Sequence, residues 1–410
     1  MKNLFSFCIL WMLAACGSNS QKAKEDDSSS KEDGLVRKET VLPILDLQKE
    51  YPKKEIILQD LAEVEYIPFE TNDSVLLSNF TISLIGDTLI THDKSANILF
   101  FNKEGKLLRS FNRRGGSGEE YMDEYLDIVC DTIANELFIL DRGAFRIQVY
   151  DLKGGYKRTL KLPYEKIQFA SVIFEYDKDF LFAENILDAD QRDEAPQKNK
   201  KPYYKISKKD GKLISLPFIS KERIRDRVKF NVGDNYIAAT FHIPPVARLG
   251  SDILIADYSW DTVYTYRNDH LTPVAVRQNY VSKSNFPIIA TIDMMSDRYL
   301  LWYALEKNVD RETLAAPDGI KYLSDRFTGE SWQIDITNSD GVSAEDARKL
   351  RIRISGNLPR LPRGYVLQPY PADFLMELNE AGKLKGKLKA IASTLSEEDN
   401  PVLMIAKFKE

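Results

Sequence analysis

The residues able to do acid–base, metal or nucleophilic chemistry are few and scattered. His92, His242 and His270 are the only histidines. No His-x-x-x-His or His-Cys spacing occurs, so a zinc site has no local signal. His92 ends a strand-like run beside Asp93, His242 precedes Ile243-Pro244-Pro245, and His270 falls at a hairpin tip. Three aspartates are better placed. Asp93, Asp141 and Asp257 follow the second strand of their respective repeat units. Pointing to one rim, they could hold a divalent cation through oxygen. The structural alternative is that each caps its own turn by accepting backbone N–H bonds. With Arg142, which adjoins Asp141, they make a ligand-binding set of Asp93, Asp141, Arg142 and Asp257. No catalytic residue is assigned, and a divalent cation is the one cofactor weighed. Arg114-Gly-Gly-Ser-Gly118 lacks the Lys-Ser/Thr of a phosphate-binding loop, and reads as a turn between units. Arg146 reads as a brace between units rather than a ligand residue.

These residues sit on a repeat. Asn97–Asn102, a turn at Lys103-Glu-Gly105 and Lys106–Phe111 form one hairpin. Arg146–Tyr150 with Tyr156–Leu160, Tyr203–Ser207 with Lys212–Ser215, Thr262–Tyr266 with Thr272–Val276, and Lys321–Leu323 with Ser331–Asp335 repeat it. The tips fall near positions 105, 154, 211, 270 and 329. A period of about fifty residues or more signals a solenoid or propeller, and four-stranded units of that length suit propeller blades. The length after Glu63 fits six blades best, with seven the competing count. The expected fold is an all-β, six-bladed propeller. Pro371–Leu395 carries leucines at helical spacing, giving a helical insertion at about 371–398 in the last blade that Gly382 and Gly386 weaken. Val64–Phe69 is expected to be the outer strand of that blade, beside a final strand at Val402–Phe408. This closure removes the exposed edges of an open sheet.

Composition bounds the rest. The chain carries 57 basic and 62 acidic residues, a net charge of −5, which argues against nucleic acid as a partner. Cysteines number three. Cys130, in a strand-like run, reads as a small buried apolar residue. Lys2 precedes an apolar run from Leu4 to Ala15. That run is too short to span a bilayer, which takes ~20 helical residues, and has the length of a signal-peptide core. It ends Leu13-Ala14-Ala15-Cys16-Gly17, which resembles the bacterial lipobox. The resemblance implies cleavage before Cys16, lipid on that cysteine and a membrane anchor. No disulfide can then form within the mature chain. The expected organisation is a signal peptide over 1–15, a disordered polar linker over 16–40 and one propeller domain over 41–410. The linker is too poor in apolar residues to offset its ordering entropy. Its acidic cluster, Lys24-Glu25-Asp26-Asp27, resembles a surface-export signal of some Gram-negative anaerobes, and equally reads as plain linker.

Glu136–Asp141 leading to Arg146–Asp151 resembles the NHL repeat, and Arg114–Gly118 resembles the glycine-rich turn between NHL blades. With the N-terminal features, the whole is similar to the six-bladed propeller lipoproteins of gut Gram-negative anaerobes. That resemblance implies a fold and an outer-membrane location, periplasmic or surface-exposed, rather than a reaction. The connections after the second strand run long in three units: Asp188–Pro202, Asn308–Gly319 and the helical insertion. Loops on a rigid scaffold concentrate binding residues. The expected function is therefore non-enzymatic binding of a protein or glycan through one decorated face. The competing class is a lyase or lactonase with a divalent metal in a central channel.

Overall fold

The computed structural model describes residues 40–410, apart from 74, 78–79, 123–125, 164–169, 186–200, 219–226, 233–234, 242, 280–286, 311, 314, 351 and 353–359. It is an all-β, six-bladed propeller. Blade 1 comprises Thr81–Ile85, Thr88–His92, Ile98–Phe101 and Leu107–Phe111. Blade 2 comprises Asp127–Asp131, Glu136–Asp141, Arg146–Asp151 and Tyr156–Lys161, and blade 3 Ala170–Glu175, Phe180–Asn185, Tyr203–Ser207 and Leu213–Ser215. Blade 4 runs from Val246–Leu249 through Asp252–Ile255 and Thr262–Arg267 to His270–Gln278. Blade 5 runs from Ile288–Met295 through Tyr299–Glu306 and Ile320–Asp325 to Ser331–Thr337. The pair Arg227–Val232 and Asn235–Thr240 forms a separate hairpin before blade 4, which the repeat does not foreshadow.

Burial explains why these runs are strands. Sheets packed face to face bury both surfaces of their inner strands, so those strands read as continuous apolar runs. All four residues of Ile98–Phe101 and all six of Glu136–Asp141 are buried. The outer strand Leu107–Phe111 alternates between half-buried and exposed, as a wall facing solvent must.

The tip glycines have two jobs. Gly105 has φ +81° and Gly154 φ +87°, the left-handed region that hairpin tips need. A Cβ on Gly105 would lie 2.1 Å from Pro68 O, and one on Gly154 2.7 Å from the Phe111 ring. Each tip therefore seats against the outer strand of the preceding blade. The repeat joins blade to blade as well as strand to strand.

Closure follows the expected route and then extends it. Blade 6 sets Tyr365–Tyr370, Val402–Phe408 and Ala62–Pro68 side by side, with Val402 opposite Pro68 and Phe408 opposite Ala62. Two further N-terminal strands, unforeseen in the sequence, add fifth strands in parallel. Ile44–Asp46 pairs with the outer strand of blade 4, and Lys53–Ile57 with that of blade 5. The segment from Ile44 to Pro68 thus belts three successive blades. Lys53, Lys54 and Glu55 are exposed on the new edge, charges that discourage another strand from pairing there.

The helical insertion is split as its glycines suggest, into Ala372–Glu380 and Gly386–Ala392. Leu375, Leu378, Leu384 and Leu388 are buried against Met294, Leu301 and Leu323 of blade 5 and Met404 and Ala406 of blade 6. The helices complete the core between the two blades. A further short helix, Ala344–Lys349, begins at a capping box in which the Ser343 hydroxyl accepts from Asp346 N.

The inside of the ring is not open throughout. Leu361 pairs in parallel with Leu249, on the inner edge of blade 4, and Gly364 N donates to Met295 O in the inner strand of blade 5. From there Arg360 reaches across to the inner strands of two other blades. Its guanidinium bonds Asp127 Oδ1 of blade 2 and lies 2.5 Å from Ile173 O of blade 3. Residues 360–364 therefore touch the inner strands of four blades.

Candidate ligand-binding face

Antiparallel blades send equivalent connections to the same face. The connections after the second strands are short in blades 1, 2 and 4: residues 93–97, 142–145 and 256–261. In blade 5 the connection covers 307–319. In blade 6 it holds both helices. Gly364 meets the far end of blade 5's inner strand, so Tyr365–Tyr370 runs in the sense of a second strand. Its following connection then emerges on this same face. Most of the blade 3 connection, Asp188–Pro202, lies outside the described residues, as does His242.

The short connections hold the sequence candidates. Asp93 Oδ1 accepts from Asn97 N, and its Oδ2 from Asn97 Nδ2, each at 2.9 Å. Asp141 Oδ2 accepts from Arg146 Nε at 2.8 Å. Asp257 Oδ2 accepts from the Tyr203 hydroxyl of blade 3 at 2.8 Å and its Oδ1 from Ser259 N at 2.9 Å. All three are buried. Asp93 and Asp257 accept from backbone N–H groups of their own turns, as in the capping alternative, whereas Asp141 is held by Arg146 and caps no backbone N–H. The structure does not bring the three together: among the described residues no group of three or more His, Cys, Asp or Glu is placed to hold a metal ion. Arg142 opens a single 3-10 turn, Arg142–Ala144, and is half-buried there.

Arg146 braces as expected. Its Nη2 donates to Glu120 O at 2.7 Å, while Gln148 Nε2 and the Tyr150 hydroxyl reach the carbonyls of Gly118 and Glu119. The Arg114–Gly118 loop is thus a turn held by the next blade. Arg277 plays the same part in blade 4, fully buried, with Nη1 on Ala256 O and Ala290 O and Nη2 on Trp260 O. Cys130 is free and buried, and burial pushes its thiol up to about 12. It is a core residue at neutral pH, not a thiolate nucleophile.

His92 sits among charged groups. Burial pulls its imidazole down to about 4; the Asp127 and Asp93 carboxylates oppose that, while the Arg360 and Arg142 guanidiniums add to it. At neutral pH it is an uncharged imidazole. His270 is exposed at the start of the outer strand of blade 4.

The opposite end of the inner strands carries a charged chain. Lys208 Nζ sits 2.6 Å from Asp131 Oδ2 and 3.7 Å from Glu175 Oε1, and Arg248 Nη2 lies 2.7 Å from Glu175 Oε2. Arg158 holds Glu136 with two bonds of 2.6 and 2.7 Å and also donates to Lys208 O. The chain ties blades 2, 3 and 4. Its members are 22 to 77 residues apart, so no local motif announces it.

A family model described as "Domain of unknown function (DUF4934)" matches residues 42–310, and the chain belongs to that family. Among solved structures, a putative exported protein from Bacteroides fragilis is similar with a TM-score of 0.57 at 13% identity, covering 90% of this chain and 100% of that one. A member of the DUF4221 family from Bacteroides vulgatus has a TM-score of 0.44 at 8% identity, covering 86% and 99%. No curated protein sequence matches the chain.

Proposed function

We propose that this protein is a lipid-anchored, non-enzymatic propeller of the bacterial cell envelope that binds a protein or glycan through one loop-decorated face. The observation that carries the reading is the asymmetry of the two faces. The additions in blades 5 and 6 emerge where the short turns of blades 1, 2 and 4 emerge, and the long blade 3 connection belongs topologically to the same face. Rigid scaffolds present binding groups on such loops. Binding rather than catalysis suits the commitment of Asp93, Asp141 and Asp257 to turns and braces. The NHL-like character of the repeat rests on the residues of blades 1 and 2. Among the described residues no helix is long and apolar enough to cross a membrane, and the lipobox-like Leu13–Cys16 supplies an anchor of another kind. The similar Bacteroides fragilis protein, itself described as exported, is in keeping with an envelope location.

Two experiments test this. Cys16→Ser should abolish metabolic lipid labelling and move the protein from the membrane to the soluble fraction. An unlabelled wild type would end the anchor reading. Deleting Asp190–Lys201 should leave the thermal transition in place and change the profile of captured glycans and envelope proteins. An unchanged profile would count against that loop.

A further inference from the structure

The joint between blades 3 and 4 carries a tryptophan at its decorated end, and the neighbouring structure holds it in place. Trp260 lies in the short connection 256–261 of blade 4. Its backbone N–H donates to Asp257 O at 3.1 Å, and its carbonyl accepts from Arg277 Nη2 at 2.8 Å. Three rings stand steeply to the indole: Tyr264 at 5.8 Å and 84°, Phe218 at 6.2 Å and 86°, and Tyr203 at 6.2 Å and 72°. Among the described residues no ring or guanidinium stacks flat upon it. Backbone and rings thus fix the indole before any ligand arrives, which lowers the ordering cost of binding. Trp302 is fully buried, and Trp332 lies under Lys54 Nζ at 3.4 Å. Trp260 is therefore the tryptophan that the described residues leave open on the decorated face.

Its polar rim is unused. Trp260 and Tyr264 are half-buried. The indole N–H and the Tyr264 hydroxyl have no partner among the described residues, and neither is sealed from solvent. Asp261, next in the chain, is exposed. Its Oδ1 accepts from the Thr262 hydroxyl at 2.8 Å, which leaves Oδ2 without a donor among the described residues. The surroundings narrow the ligand. Lys201 Nζ donates to Ser215 Oγ at 3.1 Å, so the long blade 3 connection ends beside the strand that leads to Phe218. No large apolar side chain is exposed within 256–264. A protein interface of about 800 Å² a side with an apolar centre finds no core there. The Asp261 carboxylate repels an anionic ligand. What fits is a ring with an apolar face and hydroxyls at its edge, which describes a neutral sugar.

We propose that Trp260, with Tyr264 and Asp261 at its rim, is a stacking platform for a neutral sugar residue of a glycan. The indole takes the C–H face of the pyranose and keeps its polar edge for hydrogen bonding. The indole N–H and the Tyr264 hydroxyl donate to sugar oxygens, and Asp261 accepts from sugar hydroxyls. An aromatic lining with a few placed polar groups is the usual make-up of a small-ligand site. This rests on the binding reading of the decorated face. It narrows that reading from a protein or glycan to a glycan, and from a face to one joint.

The test uses the full chain in native gels cast with dextran, galactomannan, mixed-linkage β-glucan or polygalacturonate. A neutral polymer should retard the wild type. Trp260→Ala should weaken that binding on the order of tenfold or more, and Tyr264→Phe and Asp261→Asn by about fivefold each. Saturation with the polymer that binds should shift the tryptophan emission of the wild type and leave that of Trp260→Phe unmoved. A purely structural Trp260 would not give that signal. If Trp260→Ala does not fold, Asp261→Asn and the emission shift decide. A wild type retarded by no neutral polymer, or by polygalacturonate alone, overturns the proposal. So does retardation undiminished in Trp260→Ala, which puts the sugar elsewhere on the face. Capture of an envelope protein without any glycan overturns the proposal and leaves the binding reading standing. Capture of neither overturns both.

Discussion

Blades 1 to 3 and blades 4 to 6 reach the same ring by different means. In the first half each hairpin tip sits on the wall of the blade before it, through Gly105 on Pro68, Gly154 on Phe111 and Gly211 on Leu160 and Lys161. These contacts recur with the repeat. In the second half an N-terminal belt and a helical insertion do the joining, and the inner segment 360–364 reaches from there to blades 2 and 3. These contacts are made once each, between residues far apart in the chain. The difference separates a modular device from singular ones, and the two should respond differently when broken.

The largest effect should come from the closure strand. Deleting residues 402–410 removes the centre of blade 6, buried along most of its length, and opens two long edges. Loss of the cooperative thermal transition is expected. A retained transition would mean that the belt alone closes the ring. Next is Arg360. Arg360→Met leaves the buried Asp127 carboxylate without its cation, a loss of about 3–5 kcal/mol. Asp127→Asn leaves the buried Arg360 guanidinium without its anion and should cost a comparable amount, although Asn can still accept from Ile173 N, which lies 2.6 Å from Asp127 Oδ2. A negligible cost for both in denaturant titrations would show that the charge pair is unimportant.

The tip contacts should be smaller and repeatable. Gly105→Ala forces a left-handed residue against Pro68 O, for about 1–3 kcal/mol. Gly154→Ala should cost a similar amount by its clash with Phe111. If only one of the two is destabilising by urea midpoint, the modular reading of the first half fails. The smallest effect should be the acid response of Glu136. Hydrogen bonds from Arg158, against some desolvation, hold its carboxyl below the usual range. A depressed carboxyl adds stability above its unfolded value, about pH 4.3, and loses it as pH falls through the folded one. Glu136→Gln should therefore flatten the stability profile below about pH 4.3 and sit lower at neutral pH. An unchanged acid limb would remove Glu136 from the chain tying blades 2 to 4.

The same division explains what was legible in the sequence. The hairpins of blades 1 to 5, the split helix and the pairing of Ala62–Pro68 with Val402–Phe408 follow from alternation, glycine chemistry and the need to close edges. The belt strands were not legible, because Ile44–Asp46 is three residues long and Lys53–Ile57 is mostly polar and exposed. Both are strands only because an outer edge awaits them. Arg360 and Asp127, 233 positions apart, carry no local sign of their pairing. Asp93, Asp141 and Asp257 match in the sequence by position, yet two of them cap turns and the third pairs with Arg146, a difference that the repeat does not reveal.

The most direct measurement compares the two faces. Glu312, Lys385, Lys387 and Lys389 are exposed on the decorated face, and Lys103, Lys153 and Lys209 on the hairpin tips of the other. Charge reversal of each set, followed by binding to a glycan array and cross-linking in intact envelopes, separates them. Loss of ligand confined to the first set is the predicted result. Loss confined to the second, or identical profiles for both, would contradict the account.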